Sequence, residues 1–266
     1  MKHQLAVAMS IINKVKLPHE VTRLQDESLK PDPDVVVVAE CIGRNPKLLT
    51  KFLAVASLMS KKEITTARQA VSILGTKGVF TVFFSSAIEF TFQATGDSAL
   101  IVNHAIKIAT AMADLSGRCK GLRSSDAYLF GLLYNVGYIV LNSYDPKSYK
   151  ACYLTSLMTP SQSQAKKWRV KNSIYSGILF QQDNVKKCPK GENFAYEMIN
   201  LLSIARAIVA ETEEARYITE EVRSNAASAM KRLSISNVDY IRAQRKVKQF
   251  TKDLESFPED FIEEES

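Results

Sequence analysis

Helix-breaking residues are scarce in this chain, with ten glycines and eight prolines among 266 residues. Between these breaks apolar side chains return every three or four positions, and runs alternating apolar with polar are few. A chain spaced in that way can bury one stripe of each helix against its neighbours. The pattern predicts an all-α, multi-helix bundle. With 46% hydrophobic and 24% charged residues the composition is that of an ordinary globular protein. Its length suffices for a sizeable core.

Local signals place the helices. Residues 3–15 read as a first helix ended by Leu17-Pro18, and 19–29 as a second. Asp34 can cap a helix that begins with four valines, Val35 to Val38, a run that propensity alone would make a strand. Asn45-Pro46 suits a cap followed by the first helical position. Thr65 or Thr66 can cap a helix that closes at Gly75 in a left-handed conformation. A long apolar helix then runs from Lys77 to about Phe92. Ala94-Thr95-Gly96-Asp97 is the best internal boundary. It divides an N-terminal helical subdomain, about 1–95, from a second helical subdomain, about 96–250. Helices are expected there at 98–116, 124–142, 146–157, 161–182, 192–213, 219–233 and 237–250. Residues 251–266 read as an acidic, flexible tail.

The absent signals narrow function. No uncharged apolar run reaches 18 residues, so no membrane partner is expected. The first seventeen residues carry Lys2, His3, Lys14 and Lys16 around Leu5 to Ile12, without a small-residue cleavage site, and read as an amphipathic helix. Cys41, Cys119, Cys152 and Cys188 form no Cys-x-x-Cys pair and suit free thiols in a cytoplasmic protein. No phosphate-binding loop, nucleophile elbow or dinucleotide motif occurs, and Gly75-Thr76-Lys77-Gly78 lacks the required spacing. No cofactor is expected. The net charge is +7, and the last fifteen residues, with one lysine and seven acids, hold −6 of it. The remaining 251 residues therefore carry +13, which leaves nucleic-acid binding as an alternative. The basic clusters are scattered, however, and are better read as solvated helix faces. Trp168, the only tryptophan, reads as a packing anchor.

Several short motifs occur in a fixed order. They are Leu17-Pro18, Asn45-Pro46-x-Leu48 followed by Leu53 and Ala56, Ala70-Val71-x-x-Leu74-Gly75, His104 before Ala105, and Gly131-Leu132-Leu133-Tyr134-Asn135-Val136-Gly137. Asn172 in Asn-x-x-x-x-Gly, and Ser203 within Leu201 to Ala205, complete the series. Together they resemble the HDOD domain, a bacterial signalling relative of the HD and HD-GYP phosphohydrolases. The strongest match is the Gly-Leu-Leu-x-x-x-Gly frame at 131–137.

The resemblance implies an HDOD-like bundle whose second subdomain is HD-like. It also implies where a metal would sit. HD phosphohydrolases hold their cation with a His, a His-Asp pair and a distant Asp, and the matching positions here are His104, Tyr134, Asn135 and Ser203. A phenol is protonated at neutral pH and an amide carries no charge, so one good ligand remains of four. Open-site hydrolysis needs about three protein ligands and an activated water. The expected protein is a non-catalytic regulatory module that binds a signalling protein or a small ligand. His104, Tyr134, Asn135, Asn172 and Ser203 would line the remnant pocket, filled by polar groups bonded to His104 or Asn172. A phosphohydrolase with an atypical ligand set, acting on a nucleotide or cyclic dinucleotide, is the enzyme alternative.

Overall fold

The structure, a computed structural model, describes residues 19–28, 30–44, 46–60, 63–93, 96–134, 193–213 and 218–255. The described elements are α1 (His19–Ser28), α2 (Val35–Gly43), α3 (Pro46–Ser60), α4 (Ala67–Gln93), α5 (Gly96–Leu115), a 3-10 turn (Ser116–Arg118), α6 (Ser124–Leu133), α7 (Asn193–Thr212), α8 (Glu220–Leu233) and α9 (Asn237–Glu255). No strand occurs among the described residues, and the chain is all-α as its spacing predicts. The helices expected at 3–15, 146–157 and 161–182, together with Trp168, Cys152 and Cys188, lie outside the described residues.

Capping decides the ambiguous starts. Asp34 Oδ1 accepts from the Val36 amide at 2.8 Å, so the valine run opens a helix rather than a strand. Val35 and Val36 stay exposed on its first turn while Val38 is buried. Glu27 fixes the preceding loop, accepting from the Asp34 amide at 2.9 Å and from Lys30 at 2.6 Å. Thr66 Oγ1 accepts from the Gln69 amide at 3.1 Å and starts α4. Gly75 does not end that helix in isolation. It sits at φ 67°, ψ 164° inside α4, and the helix bends by 115° between Ala67–Thr76 and Gly78–Glu89. Only glycine reaches that backbone region at low cost.

Among the described residues the second arm of α4 is enclosed by its neighbours. Val79, Val82, Phe83, Phe84, Ala87 and Ile88 are all buried. Ser85 and Ser86 are buried too, and each hydroxyl donates at 2.9 Å to a carbonyl one turn back, so neither is left unsatisfied. Helices α1 to α3 pack against α4, with Phe52 meeting Phe83 edge to face at 5.9 Å. Helices α5 and α6 also pack against α4. Beyond them α7 lies on α5, α8 on α7, and α9 across α5 and α7.

Helices α5 and α6 approach closely at Gly131. A Cβ added at Gly131 would stand 2.6 Å from Ala109 Cα and 2.9 Å from its amide nitrogen. The glycine of the 131–137 frame is therefore a packing device in this chain. At the far end α9 runs past Phe250 to Glu255, so the helix takes in the first residues of the segment expected to be flexible. Among the described residues no single helix is long and apolar enough to cross a membrane.

Candidate functional site

His104 lies in the middle of α5 and is half-buried, with 37% of its side chain exposed. Its Nδ1 stands 3.3 Å from Glu213 Oε2. The other oxygen of Glu213 accepts from Lys107 Nζ at 3.0 Å. His104 and Lys107 are one turn apart on α5 and share a face. Glu213 follows the last residue of α7, and the packing of α7 on α5 brings it across. Hydrogen bonding from His104 foremost, with Lys107 adding to it, holds the Glu213 carboxyl down at about 2, against the opposing effect of burial. Glu213 is not among the positions that the sequence resemblance matches to metal ligands, and only the fold brings it beside His104.

The other predicted positions fall as follows. Tyr134 is the C-cap of α6. Its amide donates to Phe130 O at 2.9 Å, and its half-buried side chain packs against the core. Ser203 sits midway along α7 and donates to Ile199 O at 3.0 Å in its own helix. Ten residues at about 1.5 Å each put Glu213 roughly 15 Å along the chain axis from Ser203. The partner of His104 is thus found at the end of α7, away from the serine matched to the last HD ligand. Asn135 and Asn172 lie outside the described residues. Among the described residues no three His, Cys, Asp or Glu side chains gather as a metal-binding group.

Two further polar clusters were not visible in the sequence. Glu89, on the buried arm of α4, is fully buried. It accepts from the Tyr128 hydroxyl of α6 at 2.7 Å, and its other oxygen is 2.8 Å from Lys51 Nζ of α3. One carboxylate thus ties three helices together. Burial, then the neighbouring Glu89, push the Tyr128 phenol well above its ordinary value. The second cluster fastens α9. Asp114, on α5, is held by Arg242 Nε at 2.9 Å and Lys246 Nζ at 3.3 Å. Asp239, at the start of α9, takes Arg118 at 2.6 Å and Arg242 at 2.9 Å. Ser236 donates to Asp239 at 2.6 Å and, with Arg118, holds that carboxyl at about 2. The i, i+3 spacing of Asp239 and Arg242 is legible in sequence, but their partners on α5 and the 3-10 turn are more than a hundred residues away.

Cys41 and Cys119 are free thiols. Burial raises both, Cys119 to about 11, which leaves them protonated and unreactive near neutrality.

Comparison with known proteins adds the family. The HDOD domain profile matches residues 15–171. No curated protein sequence matches the chain. Among solved structures, the fold is similar to a candidate metal-dependent phosphohydrolase of Shewanella amazonensis SB2B, with TM-score 0.68, 16% identity, and coverage of 94% of this chain and 99% of that one. It is similar to an HDOD domain protein of unknown function from Geobacter sulfurreducens, with TM-score 0.58, 18% identity, and coverage of 94% and 95%. It is also similar to a candidate signal transduction protein of Marinobacter aquaeolei VT8, with TM-score 0.59, 17% identity, and coverage of 96% of this chain and 66% of that one. At identities this low the likeness shows a shared fold alone.

Proposed function

The chain belongs to the HDOD domain family, and from that premise we propose that it is a non-catalytic regulatory module of signal transduction. It acts in the cytoplasm by binding a signalling protein or a small ligand. The observation that carries the reading is the state of His104. Its imidazole faces a Glu213 carboxylate that Lys107 also holds. A cation placed there would have to compete with a lysine ammonium for the Glu213 carboxylate, the one that faces His104 among the described residues. By the sequence resemblance Tyr134 and Asn135 match the His-Asp pair of the HD enzymes, and neither residue type brings a charge to offset a divalent ion. The Ser203 hydroxyl is already spent on its own helix. A solved relative named for signal transduction shares the fold, which agrees with the regulatory reading. Another is named as a candidate metal-dependent phosphohydrolase, which makes the enzyme alternative the one to test.

The test is metal analysis of the purified full chain, together with assays for hydrolysis of nucleotides and cyclic dinucleotides in added Mn, Mg, Fe or Zn. The expected outcome is far less than one metal per chain and no turnover above buffer. One tightly held ion per chain, with hydrolysis abolished in His104→Ala, would overturn the proposal.

A further inference from the structure

A cavity of about 220 Å³ opens where the end of α3, the second half of α5, the 3-10 turn, the start of α6 and the middle of α9 converge. At a water's liquid share of about 30 Å³, that is room for roughly seven waters, or for a small organic ion. Met59 supplies an apolar wall, while Thr110, Asp114, Ser116, Ser124 and Lys246 supply polar ones. The place is distinct from the remnant HD positions. Ser124 and Tyr134 are at opposite ends of α6, about 15 Å apart by helix rise.

Three observations bear on what would fit. The first is Thr110. The residue is 1% exposed, and its hydroxyl has no hydrogen-bond partner among the described residues. A buried hydroxyl without a partner costs stability, so one in a cavity wall suits a ligand that completes it. The second is the start of α6. Its cap residue, Arg123, offers no side-chain cap and pairs instead with Asp126 of the first turn at 2.9 Å, while Ser124, the first helical residue, lines the cavity. The amides of Asp126 and Ala127 are taken by Arg123 O, and a helix start without a side-chain cap leaves its first amide donors to other partners. The third is the local charge. Asp114 and Asp239 are the anions of the cluster behind the cavity, and Arg118, Arg242 and Lys246 are its cations. Three cations against two anions leave one positive charge unbalanced. Lys246, with one-third of its side chain exposed, is the cation in the cavity wall.

We propose that this cavity binds a small oxyanion, the phosphate or carboxylate group of a low-molecular-weight ligand. The anion would accept from the Thr110 and Ser124 hydroxyls and from Lys246, and it would bring the cluster to neutrality. The Ser116 hydroxyl, which already donates to Ala113 O at 2.8 Å, and the Asp114 carboxylate would accept from donors elsewhere on the ligand. Binding would join α3 of the first subdomain to α6 and α9 of the second. The proposal does not depend on whether the HD positions are catalytic.

The experiment titrates the full chain with inorganic phosphate, with acetate, and with chloride at matched ionic strength, following thermal unfolding and calorimetric heat. A saturable rise in Tm with phosphate or acetate, beyond that with chloride, is expected, and the anion that produces it identifies the group bound. Lys246→Gln should weaken binding about tenfold, as loss of one charge-assisted hydrogen bond predicts. Thr110→Val should also weaken it, yet leave the unliganded protein as stable or more so, because it removes an unsatisfied buried hydroxyl. That opposition separates a ligand-binding threonine from a merely structural one. No saturation with either oxyanion would overturn the proposal, and so would affinities unchanged in both variants.

Discussion

Tyr128 and Glu89 show how much one buried hydrogen bond can carry. Both are enclosed, and the phenol donates to a carboxylate whose other oxygen faces Lys51. Removing the donor leaves a buried charge partly unsatisfied, which costs far more than the net worth of an ordinary hydrogen bond. Tyr128→Phe keeps the ring and its packing and deletes only the hydroxyl. It should lower unfolding free energy by about 1–3 kcal/mol, measured by urea denaturation with an unchanged m-value. A variant as stable as the parent would show that Lys51 alone satisfies the carboxylate. The sequence offered no means of finding this trio. Tyr128 and Glu89 are 39 residues apart, and an acid within a run as apolar as Ser86 to Phe92 carries no mark of its partner.

At the scale of elements, the contact of α5 with α6 rests on Gly131. Alanine there would need to occupy space 2.6 Å from the Ala109 backbone, and backbone cannot step aside as a flexible side chain can. The two helices would have to separate, taking the buried faces around Ile106, Phe130 and Leu133 with them. Gly131→Ala should cost about 1–3 kcal/mol or more, as overpacking does, although alanine favours a helix interior by about 1 kcal/mol over glycine. Thermal unfolding followed by far-UV circular dichroism would read the difference, and an unchanged or raised Tm would refute the close-packing account. The glycine was visible in the sequence as part of a frame. Its reason was not, because Ala109 is an unremarkable residue on another helix.

For the molecule as a whole, acid should act through the carboxylates that tie the end of α7 to α5 and the start of α9 to the 3-10 turn. Glu213 and Asp239 are both held at about 2 in the fold, below the roughly 4 of an unfolded carboxylate. Folded values below unfolded ones mean stabilisation that is fully present above about pH 4 and is lost as pH falls toward 2. Glu213 and His104 are both partly exposed, so solvent screening limits the size of the effect. Glu213→Gln should be less stable than the parent near neutrality and should lose less stability between about pH 5 and 2. Urea midpoints measured across that range test the claim, and parallel curves for the two proteins would defeat it.

What the sequence determined by itself is local. The all-α class, the helix starts at Asp34, Pro46, Thr66 and Thr219, and the break at Gly75 follow from periodicity, side-chain caps and backbone sterics, each settled within a few residues. The ordered motifs that resemble HDOD proteins were legible for the same reason. Tertiary structure decided what each polar group meets. Glu213 at His104, Glu89 between Lys51 and Tyr128, and Asp114 beneath α9 are long-range pairings, set by how apolar faces stack and not by any local preference of the charged residue. A helix dictates which side chains share a face, but the partner across the interface is chosen only when the core has packed.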